Sequence, residues 1–325
     1  MNNCIEVKHL TKRFEYYKKE DGVKGSLKNF FKREKLIKES VNNISFNIKE
    51  GEFVGFVGPN GAGKTTTLKM LSGILYPTTG EINVLGYIPW ERNNEFKRQF
   101  SIIMGQKNQL WWDLPAKESL YLNKCIYGID DEEYKETIKM LADLMEVSNI
   151  MDVQVRRLSL GERMKLEIIA ALLHKPKVIF LDEPTIGLDM ISQKKIRNFL
   201  RYYNQEYQAT ILLTSHYMKD IEDLCSRIIV INEGEVVYDG KSEDINSIYY
   251  DKKIITLKFS SAVDKEILEQ FGIIRKYDEC EAEIEVNKDD VKRLLQKVTD
   301  TMPIKDFGLS DIPLEEGLER IYERQ

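Results

Sequence analysis

A glycine-rich segment over residues 58–67, GPNGAGKTTT, has residue types and a spacing that suit phosphate binding. It fits the pattern G-x-x-x-x-G-K-[ST], follows an apolar segment and precedes apolar residues at helical spacing. Glycines let successive backbone N–H groups turn toward an anion, and a helix that begins there adds the positive end of its dipole. In this pattern Lys64 contacts the β- and γ-phosphates and the Thr65 hydroxyl binds Mg²⁺. We therefore expect a nucleoside triphosphate to bind at Gly58, Pro59, Asn60, Gly61, Ala62, Gly63, Lys64, Thr65 and Thr66.

Two adjacent acidic residues, Asp182 and Glu183, follow the apolar segment 178-VIFL-181. Asp182 is expected to end a buried strand, where a carboxylate can hold Mg²⁺ through water. Glu183 points in a different direction and is placed to orient or deprotonate an attacking water molecule. Two acids at a strand end could instead cap the following turn, but the phosphate loop in the same chain favours the catalytic interpretation.

The composition restricts the class of protein. The chain has 325 residues, 42% of them hydrophobic and 31% charged, which suits one large and one small domain. The net charge of -5 gives no reason to expect a nucleic-acid partner. No apolar run approaches the roughly 18 residues of a membrane span, and the first residues lack the apolar centre of a signal peptide. Four cysteines without metal-type spacing (Cys4, Cys125, Cys225 and Cys280) are expected to be buried thiols in a reducing cytoplasm.

The elements that must position the phosphate loop and the acidic pair follow from hydrophobic periodicity. In chain order they are a strand over 5–14, two strands within 41–58 separated by a turn at Glu50-Gly51, helices over 117–147 and after Gly161, a strand over 177–182, a helix over 192–206, a strand over 209–215 and a hairpin over 227–240 that turns at Glu233-Gly234. The short apolar runs near 180 and 212 are typical of strands buried on both faces. We therefore expect an α/β domain over residues 1–250.

Residues 15–40 interrupt the first strands with eight Lys or Arg against five Asp or Glu. Leu27, Phe30 and Phe31 have helical spacing, which predicts a basic, partly helical insertion. It is either a solvated loop or a contact with anionic lipid headgroups or a partner.

After about residue 250 the pattern changes to a second domain, residues 251–325. Its predicted elements are strands over 254–259, 273–277, 281–286 and 303–308, helices over 263–271 and 288–299, and a terminal helix from Leu314. This βαββαβ order is typical of a small α+β ferredoxin-like domain.

Six motifs in one order carry a family resemblance: the phosphate loop, Gln106, 158-LSLGER-163, 181-LDEP-184, 187-GLD-189 and 214-TSH-216. Over residues 4–240 the chain resembles the ATP-binding subunit of an ABC transporter. The resemblance implies a P-loop ABC ATPase cassette, with a RecA-like core, a helical subdomain over about 107–175 and an N-terminal antiparallel β subdomain. The implied cofactors are ATP and Mg²⁺.

The resemblance also implies roles for residues around the bound nucleotide. Phe14 matches the aromatic residue that stacks on adenine, and Tyr16 or Tyr17 are alternatives. Gln106 matches a Mg²⁺ ligand whose loop also senses the membrane partner. His216 matches the residue that contacts the γ-phosphate, so Lys64, Glu183 and His216 form the expected catalytic set.

Further matches imply a dimer, either of two copies or with a paired ATPase subunit. In the family the signature segment, here Ser159, Leu160, Gly161 and Glu162, donates to the γ-phosphate of ATP held by the other subunit, and Asp189 belongs to the adjoining D-loop. Ser159 resembles an N-cap, and a helix after Gly161 would direct its dipole at the phosphate. The commonest family signature is LSGGQ, and this chain departs from it at Leu160 and Glu162.

The function implied by the resemblance is ATP hydrolysis that powers a separate membrane permease. The chain would then be cytoplasmic and peripheral on the inner face of the plasma membrane. The alternatives are a soluble ABC ATPase with a non-transport role and an ATP-gated module with little turnover, which Glu183 and His216 disfavour. The segments 106-QKNQLWWDLP-115 and 182-DEPTIGLD-189 and the insertion after Phe14 resemble a bacterial branch that works with ABC-2-type permeases. Export of a drug-like, amphiphilic or cell-envelope compound is therefore expected.

Two adjacent tryptophans, Trp111 and Trp112, follow Gln106. Adjacent residues face different directions, so one ring can lie in the core while the other lies at the surface. We expect one ring to fix the loop to the helical subdomain and the other to contact the permease, as a large, rigid side chain suits a docking site. The alternative is local packing of both rings.

Overall fold

The computed structural model describes residues 3–17, 35–105, 109–249 and 252–323. It divides into two compact units, Met1–Gly240 and Lys241–Gln325. The elements of the first unit, in chain order, are β1 (Asn3–Tyr17), β2 (Lys35–Lys49), β3 (Phe53–Val57), α1 (Lys64–Leu71), β4 (Thr79–Val84), α2 (Asn94–Gln99), β5 (Phe100–Met104), α3 (Ala116–Tyr127), α4 (Asp131–Met145), α5 (Leu160–Leu172), β6 (Val178–Asp182), α6 (Met190–Tyr207), β7 (Thr210–Thr214), α7 (Met218–Leu224), β8 (Arg227–Asn232) and β9 (Glu235–Lys241).

The first sheet is antiparallel, with the strand order β2-β1-β4. β4 pairs with β1 between Ile5 and Thr11, whereas β2 pairs with β1 as far as Tyr17, opposite Lys35. The outer parts of β1 and β2 therefore form a two-stranded ribbon. The described ends of the predicted insertion, residues 15–17 and 35–40, belong to this ribbon and are not loop or helix, because antiparallel pairing satisfies their backbone groups. The part predicted to be helical lies outside the described residues.

The second sheet has six strands in the order β5-β6-β7-β3-β8-β9, and the first five are parallel. Every residue of β3, β6 and β7 is buried, as expected for apolar strands covered on both faces. In such a sheet, functional residues gather at the carboxyl ends of the strands. Gly58 follows β3, Asp182 ends β6 and Thr214 ends β7, so these three residues meet at one edge.

The helices after β5 correct one expectation. Residues 117–147 were predicted as one helical pattern, but α3 and α4 are separate helices. Gly128 ends α3 with φ 65°, and the Asp130 side chain caps α4 by accepting from the backbone N–H groups of Glu132 and Glu133. Leu141 and Met145 lie on the buried face of α4, as the periodicity predicts.

The cysteine expectation is half wrong. Cys4 and Cys225 are buried, but Cys125 and Cys280 are exposed. Cys125 lies in the last turn of α3 on its solvent face, and Cys280 lies in a hairpin turn of the second unit. Small apolar side chains at such positions meet too few neighbours to be covered.

The second unit contains α8 (Ser242–Tyr249), β10 (Lys252–Phe259), α9 (Lys265–Glu269), β11 (Ile273–Asp278), β12 (Glu281–Asn287), α10 (Val291–Thr301), β13 (Ile304–Asp311) and α11 (Leu314–Glu323). Its sheet is antiparallel with the order β11-β12-β10-β13. This is the ferredoxin-like strand order predicted from the βαββαβ pattern. The core contains Ile255, Leu257 and Ile284 of the sheet with Leu294 and Val298 of α10.

Candidate nucleotide-binding site

The phosphate loop makes a tight turn between β3 and α1. A Cβ atom at Gly58 would lie 2.1 Å from the Ile231 carbonyl oxygen, and one at Gly63, where φ is 109°, would lie 2.4 Å from the Ser40 carbonyl oxygen. Both positions therefore require glycine. α1 begins at Lys64 with no acidic residue in its first turn and no side chain bonded to its first N–H groups. Its backbone donors and the positive end of its dipole remain available to an anion.

Lys64 is a buried cation inside this loop, with 6% of its surface exposed. Its Nζ atom donates to the carbonyl oxygens of Gly58 at 2.5 Å and Pro59 at 3.1 Å. Burial lowers the pKa of Lys64, and the nearby carboxylates of Glu183 and Asp182 act in the opposite direction. A buried ammonium that contacts neutral carbonyls is stabilised when an anion binds beside it.

Asp182 brings together hydroxyl groups from two different elements. Its Oδ2 atom accepts from Thr65 Oγ1 at 2.9 Å, and its Oδ1 atom accepts from Thr214 Oγ1 at 2.7 Å. Mg²⁺ prefers oxygen ligands and is commonly held by one or two carboxylates together with nucleotide phosphates, so Thr65 and Asp182 fit this ion. Among the described residues no group of three or more His, Cys, Asp or Glu side chains could hold a metal. The 214-TSH-216 motif predicts no contact between Thr214 and Asp182, so this hydrogen bond is visible only in the fold.

Glu183 and His216 contact each other at the end of the sheet. The Nε2 atom of His216 lies 2.8 Å from Oε1 of Glu183. Glu183 has φ 56°, and its backbone N–H donates to the Thr214 carbonyl oxygen at 3.0 Å. This left-handed conformation directs Glu183 away from Asp182, the preceding residue.

Gly105 makes room for the backbone of Glu183. A Cβ atom at Gly105 would lie 2.4 Å from the Glu183 carbonyl oxygen. The Gly105 N–H donates to the Asp182 carbonyl oxygen at 2.9 Å. The segment after β5 therefore lies directly against the acidic pair, and the glycine immediately before the Gln106 motif is the signal that the sequence analysis missed.

A buried carboxylate, Asp220 in α7, connects the segments on either side of the Glu183–His216 pair. It accepts from the hydroxyl groups of Thr185, two residues after Glu183, and Ser215, one residue before His216. The ion pair of Asp220 with Arg197 of α6, at 2.8 Å, balances its charge. Sequence reasoning missed this network.

The signature segment and Asp189 lie against each other within the chain. Ser159 and Glu162 form a capping box at the start of α5: the Glu162 N–H donates to Ser159 Oγ at 3.3 Å and the Ser159 N–H to Glu162 Oε2 at 2.9 Å. The Ser159 hydroxyl, which donates to Glu162 Oε2 at 2.8 Å, and then the Ser159 N–H lower the pKa of Glu162. Asp189 caps α6, and Ser192 Oγ donates to its Oδ2 atom at 2.7 Å. A Cβ atom at Gly161 would lie 2.6 Å from that same Ser192 oxygen, so Gly161 permits this close packing.

Leu160 adds a second contact between the two segments. A Cβ atom at Gly187 would lie 3.2 Å from Leu160 Cδ2, so the glycine lets Leu160, which is 38% exposed, pack close to the backbone there. The described contacts therefore form two sets, one around Asp182 and the phosphate loop, and one around Ser159 and Asp189.

The aromatic residues predicted for adenine lie on the outer part of β1. Phe14 is 38% exposed and has Lys12 Nζ 5.2 Å from its ring centre. Tyr16 and Tyr17 are each 49% exposed, so exposure does not distinguish the three rings and the assignment to Phe14 stays a prediction.

Gln106 lies outside the described residues, so its predicted role in Mg²⁺ binding stays a prediction. The next described residues, Gln109 and Leu110, are held by α5. The backbone N–H groups of Gln109 and Leu110 donate to the carboxylate of Glu167 in α5, at 2.8 and 3.3 Å. Glu167 is buried, and burial raises its pKa.

Neither tryptophan of the pair lies in the core. Trp111 is 54% exposed and Trp112 is 46% exposed, so the expectation of one core ring is wrong. Leu110 is the buried anchor of this segment, with 4% of its surface exposed. The Arg163 guanidinium of α5 lies 5.4 Å from the Trp112 ring centre, which ties that ring to the helical segment through a cation–π contact.

Comparison with known proteins adds to this geometry. A family model described as "ABC transporter" matches residues 41–186, and one described as "EvrA-like ABC transporter, C-terminal domain" matches residues 251–310. The ABC transporter ATP-binding protein NatA of Bacillus subtilis is 36% identical over 233 residues, which cover 69% of this chain and 94% of NatA. The chain belongs to the ABC transporter ATP-binding proteins.

Other ABC transporter ATP-binding proteins match over a similar region. The bacitracin transport ATP-binding protein BcrA of Bacillus licheniformis is 31% identical over 77% of this chain and 84% of its own length. The linearmycin resistance ATP-binding protein LnrL of Bacillus subtilis is 35% identical over 69% of this chain and 71% of its own length.

Solved ABC structures confirm the fold class of this ABC transporter ATP-binding protein. The ATP-binding cassette MJ0796, in a dimeric post-hydrolysis state bound to ADP and Pi, matches with a TM-score of 0.61 at 25% identity. The match covers 73% of this chain and 98% of that cassette. Over the stretches that the structure describes, no helix is both long and apolar enough to cross a membrane.

Proposed function

We propose that this ABC transporter ATP-binding protein hydrolyses ATP with Mg²⁺ and drives a separate membrane permease that exports a drug-like, amphiphilic or cell-envelope compound. The relatives named for bacitracin transport and linearmycin resistance support the export proposal. The alternative of a soluble ATPase with a non-transport role gains no support from these relatives.

The observation that carries the hydrolytic part is the 2.8 Å contact between Glu183 and His216, beside the cluster of Thr65 and Asp182. Phosphoryl transfer to water depends on positioning the nucleophile and stabilising the charge on the phosphates. Glu183 orients or deprotonates the water, and His216 contacts both Glu183 and the γ-phosphate. Lys64 reaches the β- and γ-phosphates from the base of the loop.

Mg²⁺ supplies charge neutralisation on the phosphates when it is bound. Thr65 and Asp182 would hold it, with Gln106 as a further ligand. The Thr214 hydroxyl keeps the Asp182 carboxylate oriented, and this orientation sets the position of the metal-binding oxygens.

A second ATPase subunit completes the site in this proposal. The first turn of α5, with Ser159 and Gly161, would donate to the γ-phosphate held by the other subunit, and Asp189 would lie at the same interface. The dimeric form in which MJ0796 was solved supports a dimer of such cassettes. The partner is a second copy or a paired ATPase subunit.

The permease would hold this chain at the inner face of the plasma membrane, in the cytoplasm. We place the docking contact at Trp111 and Trp112, since exposed aromatic rings next to the Gln106 segment suit a protein interface. The path from permease to nucleotide would then run through residues 105–112.

The decisive experiment compares Glu183→Gln with the wild-type chain in ATP hydrolysis and in ATP binding. We expect ATP binding to persist and turnover to fall by about 100-fold or more, as for loss of a general base. Glu222→Gln, in α7, is the matched control and should keep full turnover. Equal turnover of Glu183→Gln and wild type would contradict the proposed mechanism, and failure to co-purify with a multi-span membrane protein would contradict the transport role.

A further inference from the structure

In the part of the chain that the structure describes, β13 is an edge strand of the C-terminal sheet, and no strand pairs with its outer side. β13 pairs with β10 on one side and is the last strand of the sheet. All residues from Lys305 to Asp311 are exposed, including Phe307 at 51% and Leu309 at 50%. An edge strand with exposed apolar side chains is a template for pairing with another strand.

Phe307 and Leu309 extend the apolar surface of the core beyond this edge. They lie opposite Leu257 and Ile255 of β10, and both of these are buried core residues. Directly opposite residues of an antiparallel pair share one face of the sheet. A strand added beside β13 would therefore continue the face that α10 covers.

The backbone groups of Phe307 and Leu309 point away from β10. The Phe307 N–H donates to the carboxylate of Asp306 at 2.9 Å, and on β10 the Phe259 N–H donates to the Cys280 carbonyl oxygen on the β12 side, so by alternation Leu257 and Ile255 also face β12 and not β13. Backbone direction alternates along an antiparallel strand, so the N–H and C=O groups of Leu309 have the same outward direction. These are the groups that a new neighbouring strand would bond.

We propose that β13 pairs antiparallel with β13 of a second copy of this chain, with the two-fold axis at Gly308. In this register Phe307 lies opposite Leu309 of the partner subunit, and Lys305 lies opposite Asp311 of the partner subunit. The two-fold axis repeats each pair, so the sequence KDFGLSD is complementary to itself in charge and in apolar character. The four-stranded sheet then continues across both copies.

Neighbouring registers lose this complementarity. An axis at Leu309 would place Phe307 opposite Asp311 of the partner subunit, and an axis at Phe307 would place Lys305 opposite Leu309 of the partner subunit. Both pair an apolar side chain with a charge. Of these three registers, the one centred at Gly308 pairs apolar side chains with apolar side chains and opposite charges with each other. It also places the outward backbone N–H and C=O groups of Phe307 opposite those of Leu309 of the partner subunit.

This contact goes beyond the proposed function, because it uses neither the phosphate loop nor the signature segment. It therefore requires no nucleotide. Its failure would leave ATP hydrolysis and permease coupling untouched, and the reverse also holds.

Disulfide crosslinking of the nucleotide-free, full-length chain tests the register. Gly308→Cys is made in a Cys125→Ser, Cys280→Ser background, since both native residues are exposed. A Cβ atom at Gly308 meets only the Thr256 Cβ atom, at 3.9 Å, so cysteine fits there. Directly opposite Cα atoms lie about 4.5–5.5 Å apart, within the range for a disulfide. We expect a covalent dimer after mild oxidation, seen on a non-reducing gel.

Ser310→Cys in the same background is the matched control. In the proposed register its two copies lie about 13 Å apart along the strands, too far for a disulfide. We expect at least about tenfold less crosslinking than for Gly308→Cys. No covalent dimer of Gly308→Cys, or equal crosslinking of the two variants, would overturn the proposal.

Sedimentation of the nucleotide-free chain tests the charge pairing. Lys305→Glu places like charges opposite each other twice, and we expect the dissociation constant of the dimer to rise at least about tenfold. Lys276→Glu, on the opposite edge strand β11, is the control and should leave the constant unchanged. A wild-type chain that stays monomeric across the micromolar range, or equal effects of the two variants, would overturn the proposal. Crosslinking of β13 to a different protein would overturn it in favour of another occupant.

Discussion

The carboxylate of Glu167 accepts hydrogen bonds from the backbone N–H of Gln109 at 2.8 Å and of Leu110 at 3.3 Å. Glu167 belongs to α5, which begins at the signature segment, whereas Gln109 follows the Gln106 segment. One buried carboxylate thus joins the segment that leads to Trp111 and Trp112 with the helix that Ser159 caps. A displacement of either segment changes the geometry of the other through this bond.

Replacing Glu167 by Gln should remove a pH-dependent part of the stability. Burial raises the pKa of Glu167, and the hydrogen bonds from Gln109 and Leu110 only partly oppose this. The folded protein therefore keeps this proton to a higher pH than the unfolded chain does. The contribution of the group is fully present below the ordinary glutamate pKa and is lost as the pH rises through the raised value.

Urea denaturation at several pH values measures this effect. As the pH rises through that window, the free energy of unfolding of the wild type should fall relative to that of Glu167→Gln. The reason is that glutamine does not titrate. Glu132→Gln, at an exposed site, is the control. A difference between Glu167→Gln and wild type that stays constant with pH would contradict the prediction.

Adding a methyl group at Gly105 should disturb the acidic pair. The new Cβ atom would lie 2.4 Å from the Glu183 carbonyl oxygen, so the backbone must move. We expect Gly105→Ala to lower the free energy of unfolding by about 1–3 kcal/mol and to reduce ATP turnover. Thermal melting and an ATPase assay measure both effects. Gly308→Ala, whose Cβ atom would meet Thr256 at 3.9 Å, should change neither.

The close packing of Gly161 against Ser192 predicts a rescue. Gly161→Ala brings a Cβ atom within 2.6 Å of Ser192 Oγ, and overpacking of this kind costs about 1–3 kcal/mol. Ser192→Gly removes the atoms that clash, so the double variant should be more stable than the sum of the two single changes predicts. A double-mutant cycle on the free energy of unfolding gives the coupling. Additive effects would show that the signature helix does not rest on the start of α6.

Asp220→Asn should disturb the Glu183–His216 pair, although Asp220 contacts neither residue directly. The change removes the buried charge that balances Arg197 at 2.8 Å, at a cost of roughly 3 kcal/mol. It should also loosen Thr185 and Ser215, with lower turnover and little change in ATP affinity. Asp223→Asn is the matched control, since Asp223 lies 3.0 Å from Arg197 but is more exposed. Turnover that is equal in the two variants would contradict a positioning role for Asp220.

The docking proposal is tested by replacing each tryptophan with alanine. Trp111 is 54% exposed and Trp112 is 46% exposed, so each change should cost less than about 1.5 kcal/mol of stability. Permease binding should be lost in at least one variant while ATP affinity is kept. If both variants only lower the melting temperature, the docking proposal is wrong.

Much of the site could be predicted because it lies at strand ends. The end of an apolar run locates Gly58, Asp182 and Thr214, and parallel strands bring their carboxyl ends to one edge. The contact of Thr65 with Asp182 follows from this rule, although the two residues are far apart in the chain. The family of the chain and its fold class were predicted from the same motifs and are confirmed.

The remaining features of the site are side-chain contacts between packed elements, which the hydrophobic periodicity of the sequence does not predict. Asp220 meets Thr185, Ser215 and Arg197 only because α6 and α7 pack beside the sheet. The buried hydrogen bonds of Glu167 could have been expected from the sequence, because a glutamate within the apolar run of α5 needs hydrogen-bond donors. The break between α3 and α4 was also readable, from Gly128 and Asp130. The exposure of both tryptophans could not be predicted from the sequence, because Leu110 occupies the buried position of this segment.

The shared carboxylate of Asp220 has a consequence for motion at the site. Thr185 and Ser215 flank Glu183 and His216, and both hydroxyl groups bond the same oxygen atom, Oδ2. Thermal displacements of the two segments are therefore correlated. The separation of Glu183 and His216 should fluctuate less than the distance from either residue to the phosphate loop, so the two side chains would approach or leave the phosphate loop together.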